Sequence, residues 1–405
     1  MKTKMNPVFA SLQGGLFGSV EKADVSASPA ELAAQGVSLM AWADPFFPQS
    51  SLPDSVKAAM LDEIQRGTPE HYTAPIGNPL LKDLLAQKLS DYNHLKVQGE
   101  RNILITPGSD SGLLFAMMPF ISPGDEVLTP DPGYPSNFLN PRLLGGESVA
   151  VPLHAQDGYQ IDPDEFKKRL SPKTKMVLLS HPNNPTGTVF RRKNLEALCD
   201  VIIQNDLILV CDQAFEDFIY DDIEFVSPAS LPGMWERTVT VFSFSKGACL
   251  SGLRVGYIVA DDAIMDVLYG SAVNVIGAAN TLAQYGAAAA LKDKGLLPGL
   301  KTYFHERRRL VYELLRDTPG VQITLPESGY LSWLDVSALG DSGEVAAHIK
   351  KTGRVLVNDG ANYGSCGRGH LRIVHGAGGT HELALEACGR IKASLSELAK
   401  NRGIA

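Results

Sequence analysis

Short, continuous apolar runs alternate with stretches of helical periodicity through the first two thirds of the chain. The runs at 102–106 (NILIT), 126–129, 148–153, 175–180 (KMVLLS), 207–212 (LILVCD) and 238–242 (TVTVF) are too short for helices and rich in β-branched residues, which predicts strands. Residues 111–120 and 191–205 carry apolar side chains at the three- and four-residue spacing of a helix. Strands that are apolar on both faces, separated by helices, predict a mostly parallel, seven-stranded type of sheet covered on both sides. Upstream, residues 51–66 and a stretch ending at Leu89 read as helices, joined by the turn-like 72–77 (YTAPIG).

Beyond a further strand at 255–260 the pattern changes. Residues 261–316 read as almost wholly helical, and strand-like segments at 321–324, 330–336, 355–358 and 371–375 then alternate with helices at 343–351 and 381–400. This predicts a smaller α+β unit, with residues 49–292 forming the large α/β domain and residues 1–48 and 293–405 the small one. Within 1–48 one short helix is predicted at 29–35. The segment closes on Trp42, Pro45, Phe46, Phe47 and Pro48, a stiff apolar stretch that fits a domain-capping plug as well as the wall of a substrate pocket.

A chain of 405 residues, 44% hydrophobic, can bury one large core and a smaller one. A net charge of -8 without any dense Lys/Arg run argues against a nucleic-acid surface. The five cysteines form no CxxC pair and no metal-ligand spacing, so reduced thiols in a cytoplasmic protein are expected and a metal is not. Residues 1–15 lack the apolar run of a signal peptide, and no run is long enough to cross a bilayer.

The candidate chemistry gathers at the ends of the predicted strands. Lys246 follows the strand 238–242 within Ser243-Phe244-Ser245-Lys246, and Arg254 lies just beyond. The C-terminal ends of strands face the ligand crevice in open α/β sheets, where an amine can form a Schiff base and two hydroxyls with an arginine can hold a phosphate. Alone, a lysine after a strand is usually a solvated charge. Asp212, ending LILVCD, could equally be a helix N-cap, and Asn184 in NNPTG a plain loop residue.

Together these residues resemble the class I/II pyridoxal-phosphate aminotransferases, the fold-type I family that includes aspartate aminotransferase, in the family's order from Trp42 to Arg372. The resemblance implies pyridoxal 5'-phosphate as cofactor and Lys246 as the Schiff-base lysine and proton carrier. It implies Ser243, Ser245 and Arg254 as phosphate ligands, and Gly108, Ser109 and Asp110 as a backbone phosphate cradle, with the Asp110 side chain turned away or capping the helix. Asp212 matches the partner of the pyridine nitrogen, Asn184 the donor to the phenolic oxygen, Tyr134 the ring stacked on the cofactor, and Tyr72 a phosphate contact supplied across a homodimer. Arg372 matches the clamp on the substrate carboxylate, with Ala43 where the family usually has glycine. One departure stands out: Phe215 replaces the tyrosine that usually donates to the phenolic oxygen.

The expected activity is amino-group transfer between an L-amino acid and a 2-oxo acid. A β-lyase on the same scaffold is the second reading, and a cofactor-sensing DNA-binding regulator a third, disfavoured by the acidic balance and by the absence of a basic segment before Trp42. A nicotinamide dehydrogenase is disfavoured because no GxGxxG turn is present.

Overall fold

A computed structural model describes residues 7–10, 29–50 and 52–404. Seven strands form the main sheet: β2 (Ile103–Thr106), β3 (Glu126–Asp131), β4 (Glu147–Pro152), β5 (Thr174–Ser180), β6 (Ile208–Asp212), β7 (Thr238–Ser243) and β8 (Gly256–Val259), in the order β2-β8-β7-β6-β5-β3-β4. Every neighbouring pair from β7 to β4 is parallel, whereas β8 runs antiparallel to both β2 and β7. The exception has a local cause. Parallel neighbours need a long crossover, usually a helix, but β7 reaches β8 through a loop whose only regular element is the short 3-10 turn Ser251–Leu253.

The apolar strands pack helices on both faces, as their two-sided burial requires. Leu104, Val127, Met176, Leu178, Val210 and Val241 meet the helices Ser109–Met117 and Asp262–Val275 on one side. Leu128, Val177, Leu179, Leu209 and Cys211 meet the helix Arg192–Gln204 on the other. The helical stretch after β8 comprises Asp262–Val275, Thr281–Lys292 and Leu296–Leu315.

A second, antiparallel sheet carries β9 (Gln322–Ile323), β10 (Leu331–Asp335), β12 (Asn358–Asp359) and β13 (His370–Val374) in the order β12-β13-β10-β9. It shares a core with the helices Ser342–Gly353 and His381–Asn401. The run 355–358 is split, because Val355–Leu356 (β11) leaves this sheet to pair in parallel with β1 (Ser38–Leu39). That pairing carries the chain from β1 directly to Met40 and the Ala41–Pro48 segment, which crosses to the ends of β6 and β7.

Candidate active site

The C-terminal ends of β5, β6 and β7 place Asn184, Asp212 and Lys246 at one end of the sheet, and β13 brings Arg372 to face them. Lys246 is half-buried, and its Nζ donates to the carbonyl of Ala43 at 2.7 Å, tying the loop after β7 to the N-terminal segment. Burial pushes its pKa down to about 8; Arg372 and Arg254 act in the same direction, while Asp110 and Asp44 oppose it.

Asp212 is buried and accepts from the Ala214 N-H at 3.0 Å and from Ser180 Oγ at 3.3 Å. Asn137 in turn donates to Ser180 Oγ at 3.0 Å. All these partners are neutral, and burial raises the Asp212 carboxyl to about 6. Arg372 is its counterpart in charge: it is 1% exposed, donates to Asn358 Oδ1, to the Ala41 carbonyl at 2.8 Å and to Asn184 Oδ1 at 3.1 Å, and lies over the Tyr363 ring. A buried carboxyl and a buried guanidinium, each hydrogen-bonded to neutral groups, both lie within electrostatic reach of Lys246. Such isolated charges are costly unless a ligand of opposite sign completes them.

Around Gly108 the chain segments approach one another closely. Gly108 has φ +83 and precedes the helix Ser109–Met117, and a Cβ on it would lie 2.5 Å from Arg254 Nη2. Gly256 is equally constrained, since its Cβ would sit 2.7 Å from the Ser109 nitrogen. Arg254 donates to Ser245 Oγ at 3.3 Å and to the Ser251 carbonyl at 3.0 Å. Ser243 Oγ accepts from the Ser245 N-H at 3.1 Å, so it shapes the loop. The Asp110 side chain neither turns away nor caps the helix: it accepts from Tyr134 Oη at 3.1 Å and lies 3.6 Å from Arg254. The guanidinium holds it there.

Phe215 packs beside the lysine, with Nζ 5.9 Å from its ring centroid, and Tyr330 meets it edge-on at 5.5 Å. In the aromatic stretch before residue 48, Phe46 joins the cluster that holds Phe215 and Tyr330, whereas Phe47 does not. Phe46 packs at a tilt against Tyr303 and Phe304 at 5.3 and 5.1 Å and beneath Arg307, while Phe47 lines a cavity of about 280 Å³ against the last helix. Phe46 is thus packed within an aromatic group, as a domain-capping segment would be. Tyr72 stands apart from the cluster with its side chain 100% exposed, although Thr73 and the His71 carbonyl are pinned to Thr281 at the start of its helix.

Sequence reasoning missed several contributors. Asn358 and Tyr363 hold Arg372, Ser180 and Asn137 hold Asp212, and Asp44 bonds Ser251. Behind the lysine loop a buried Lys88–Glu216 ion pair, completed by Asn93, lies beside Asp217. A Cβ on Gly247 would fall 1.8 Å from Asp217 Oδ2, so a larger residue after the lysine would force the Asp217 side chain to shift. None of these contributors carried a signal in the sequence; Asn358 meets Arg372 only because β12 and β13 pair the two residues directly.

A family model described as aminotransferase class I and II matches residues 40–391. An aspartate aminotransferase of Pyrococcus abyssi is 31% identical over 86% of this chain and 90% of its own length. An aromatic-amino-acid aminotransferase of Thermococcus litoralis is 29% identical over the same shares. Among solved structures, the aromatic aminotransferase of Pyrococcus horikoshii superposes with a TM-score of 0.85 at 29% identity, covering 93% of this chain and 100% of that one.

Proposed function

From the premise that this chain belongs to the class I and II aminotransferases, which move an amino group between an amino acid and a 2-oxo acid, we propose that it works with pyridoxal 5'-phosphate bound at Lys246. The observation that carries this reading is the convergence of a buried carboxyl, Asp212, and a buried guanidinium, Arg372, on Lys246, which interacts electrostatically with both and whose pKa burial lowers. Asp212 would face the pyridine nitrogen and Arg372 the substrate carboxylate, beside Ala43. Asn184 presents its carbonyl oxygen to Arg372, which leaves its amide N-H groups to donate to the cofactor's phenolic oxygen.

Arg254, Ser245, Ser243 and the backbone N-H groups of Gly108, Ser109 and Asp110 would hold the phosphate, and Tyr134 would stack on the ring. When bound, the cofactor supplies an electron sink for breaking the substrate's Cα–H bond. Lys246 Nζ is the base that takes and returns that proton, and a pKa of about 8 keeps part of it neutral near neutral pH. Arg372 fixes the carboxylate so that this hydrogen lies within its reach.

The exposed Tyr72 side chain supports a homodimer in which it reaches the partner's phosphate site, as do the exposed Leu61, Ile64, Val267 and Val273. Among the described residues no helix is long and apolar enough to cross a membrane. The free cysteines fit the cytoplasmic location read from the sequence.

Borohydride reduction of the reconstituted full chain, followed by peptide mapping, tests the reading: a cofactor adduct is expected on Lys246 and on no residue of Lys246→Ala. An adduct on another lysine, or release of ammonia and pyruvate without an acceptor acid, would overturn it.

A further inference from the structure

The loss of the usual tyrosine at position 215 leaves the lysine beside a ring with no hydroxyl. The space is not without one. Tyr330 is fully buried, packs edge-on against Phe215, and points its Oη at the Ala43 carbonyl, 3.4 Å away. That oxygen also accepts the Lys246 ammonium, at 2.7 Å. Two donors from different parts of the chain therefore converge on one acceptor. Tyr330 is well anchored for this: its ring packs on Phe304 at 5.0 Å and lies so close against Gly376 that a Cβ there would come within 2.5 Å of it.

We propose that Tyr330 is a positioning residue for Lys246, acting through the Ala43 carbonyl. By sharing that oxygen, the phenol makes it a weaker acceptor and loosens its hold on the ammonium. When the lysine side chain swings from Ala43 toward a reacting carbon, the phenol stays, so a buried carbonyl is not left without a donor. Both effects ease release of the amine. Burial keeps the Tyr330 phenol protonated, hence always a donor. The charged groups around the amine are Asp110 and Asp44, which favour its protonation, and Arg372 and Arg254, which oppose it; Asp212 and the Cys249 thiol lie nearby. None of them is altered by removing one phenolic oxygen.

This inference rests on Lys246 being the reactive amine, but its test reads the basicity of that amine directly and so is separate from the borohydride adduct. In the full chain stripped of any cofactor, trace acetylation of Lys246 across pH, quantified by peptide mapping, gives the midpoint at which the amine becomes neutral. Tyr330→Phe should raise that midpoint by about half a unit, lowering Lys246 labelling at neutral pH about threefold. An unchanged or lowered midpoint in a folded Tyr330→Phe chain would overturn the proposal. Should that variant not fold, the natural chain carrying 3-fluorotyrosine, a stronger phenolic donor, should show a lowered midpoint; no change there would overturn it equally.

Discussion

At the scale of single residues, burial sets the charges that the site depends on. The Asp212 carboxyl is about 6 in the folded chain, above its ordinary range, so the folded state keeps that proton longer than the unfolded state does. Stability of the cofactor-free chain should therefore fall as pH rises from about 4 to about 6, by about 3 kcal/mol from this group. Asp212→Asn, which can still accept from Ala214, should flatten that stretch of the melting-temperature profile. A variant profile as steep as the natural one would count against it. Phe215 makes a second prediction. With no hydroxyl donating to the phenolic oxygen, the lysine-linked cofactor should hold its proton through neutral pH, and Phe215→Tyr should lower the midpoint of its absorbance titration by ~1 unit. A natural chromophore already deprotonated near neutrality would refute this.

At the scale of elements, legibility followed period and length. The strands carrying Asp212 and Lys246 were readable because a β-branched run buried on both faces has few alternatives. The helix Pro135–Leu143 was not, since Pro135 and Pro141 mask its period, and Ser38–Leu39 is too short to have one. The antiparallel turn of β8 was equally hidden, because strand direction is fixed by the connecting loop and not by the strand's own residues. Within the site, motif positions could be read, whereas their supports Asn137, Ser180, Asn358 and Tyr330 could not: each is a lone polar residue that only the fold brings into place. The β8 geometry is itself testable. A Cβ on Gly256 would press within 2.7 Å of the Phe242 carbonyl and the Ser109 nitrogen, so Gly256→Ala should cost ~1–3 kcal/mol. By displacing the proposed phosphate-binding backbone at Ser109 it should also speed cofactor loss on dialysis, whereas Gly389→Ala, where a Cβ meets nothing within 4 Å, should do neither.

At the scale of the whole molecule, one chain supplies most of a site and leaves Tyr72 pointing into solvent. If that side chain completes the partner's phosphate site, the two active centres of a dimer are each built from two chains, and the symmetry makes a prediction no single-chain arrangement shares. Lys246→Ala is inactive in its own cleft but still presents Tyr72, and Tyr72→Ala keeps its lysine but denies its partner the phosphate contact. In a mixed dimer, the Lys246→Ala chain completes the cleft of the Tyr72→Ala chain and the second cleft lacks both. Refolding the two variants together at equal amounts should then restore roughly a quarter of natural activity at limiting cofactor, half the dimers being mixed and each carrying one intact site. Were Tyr72 to act within its own chain, every cleft in the mixture would carry a defect, and activity would remain at the level of the parents.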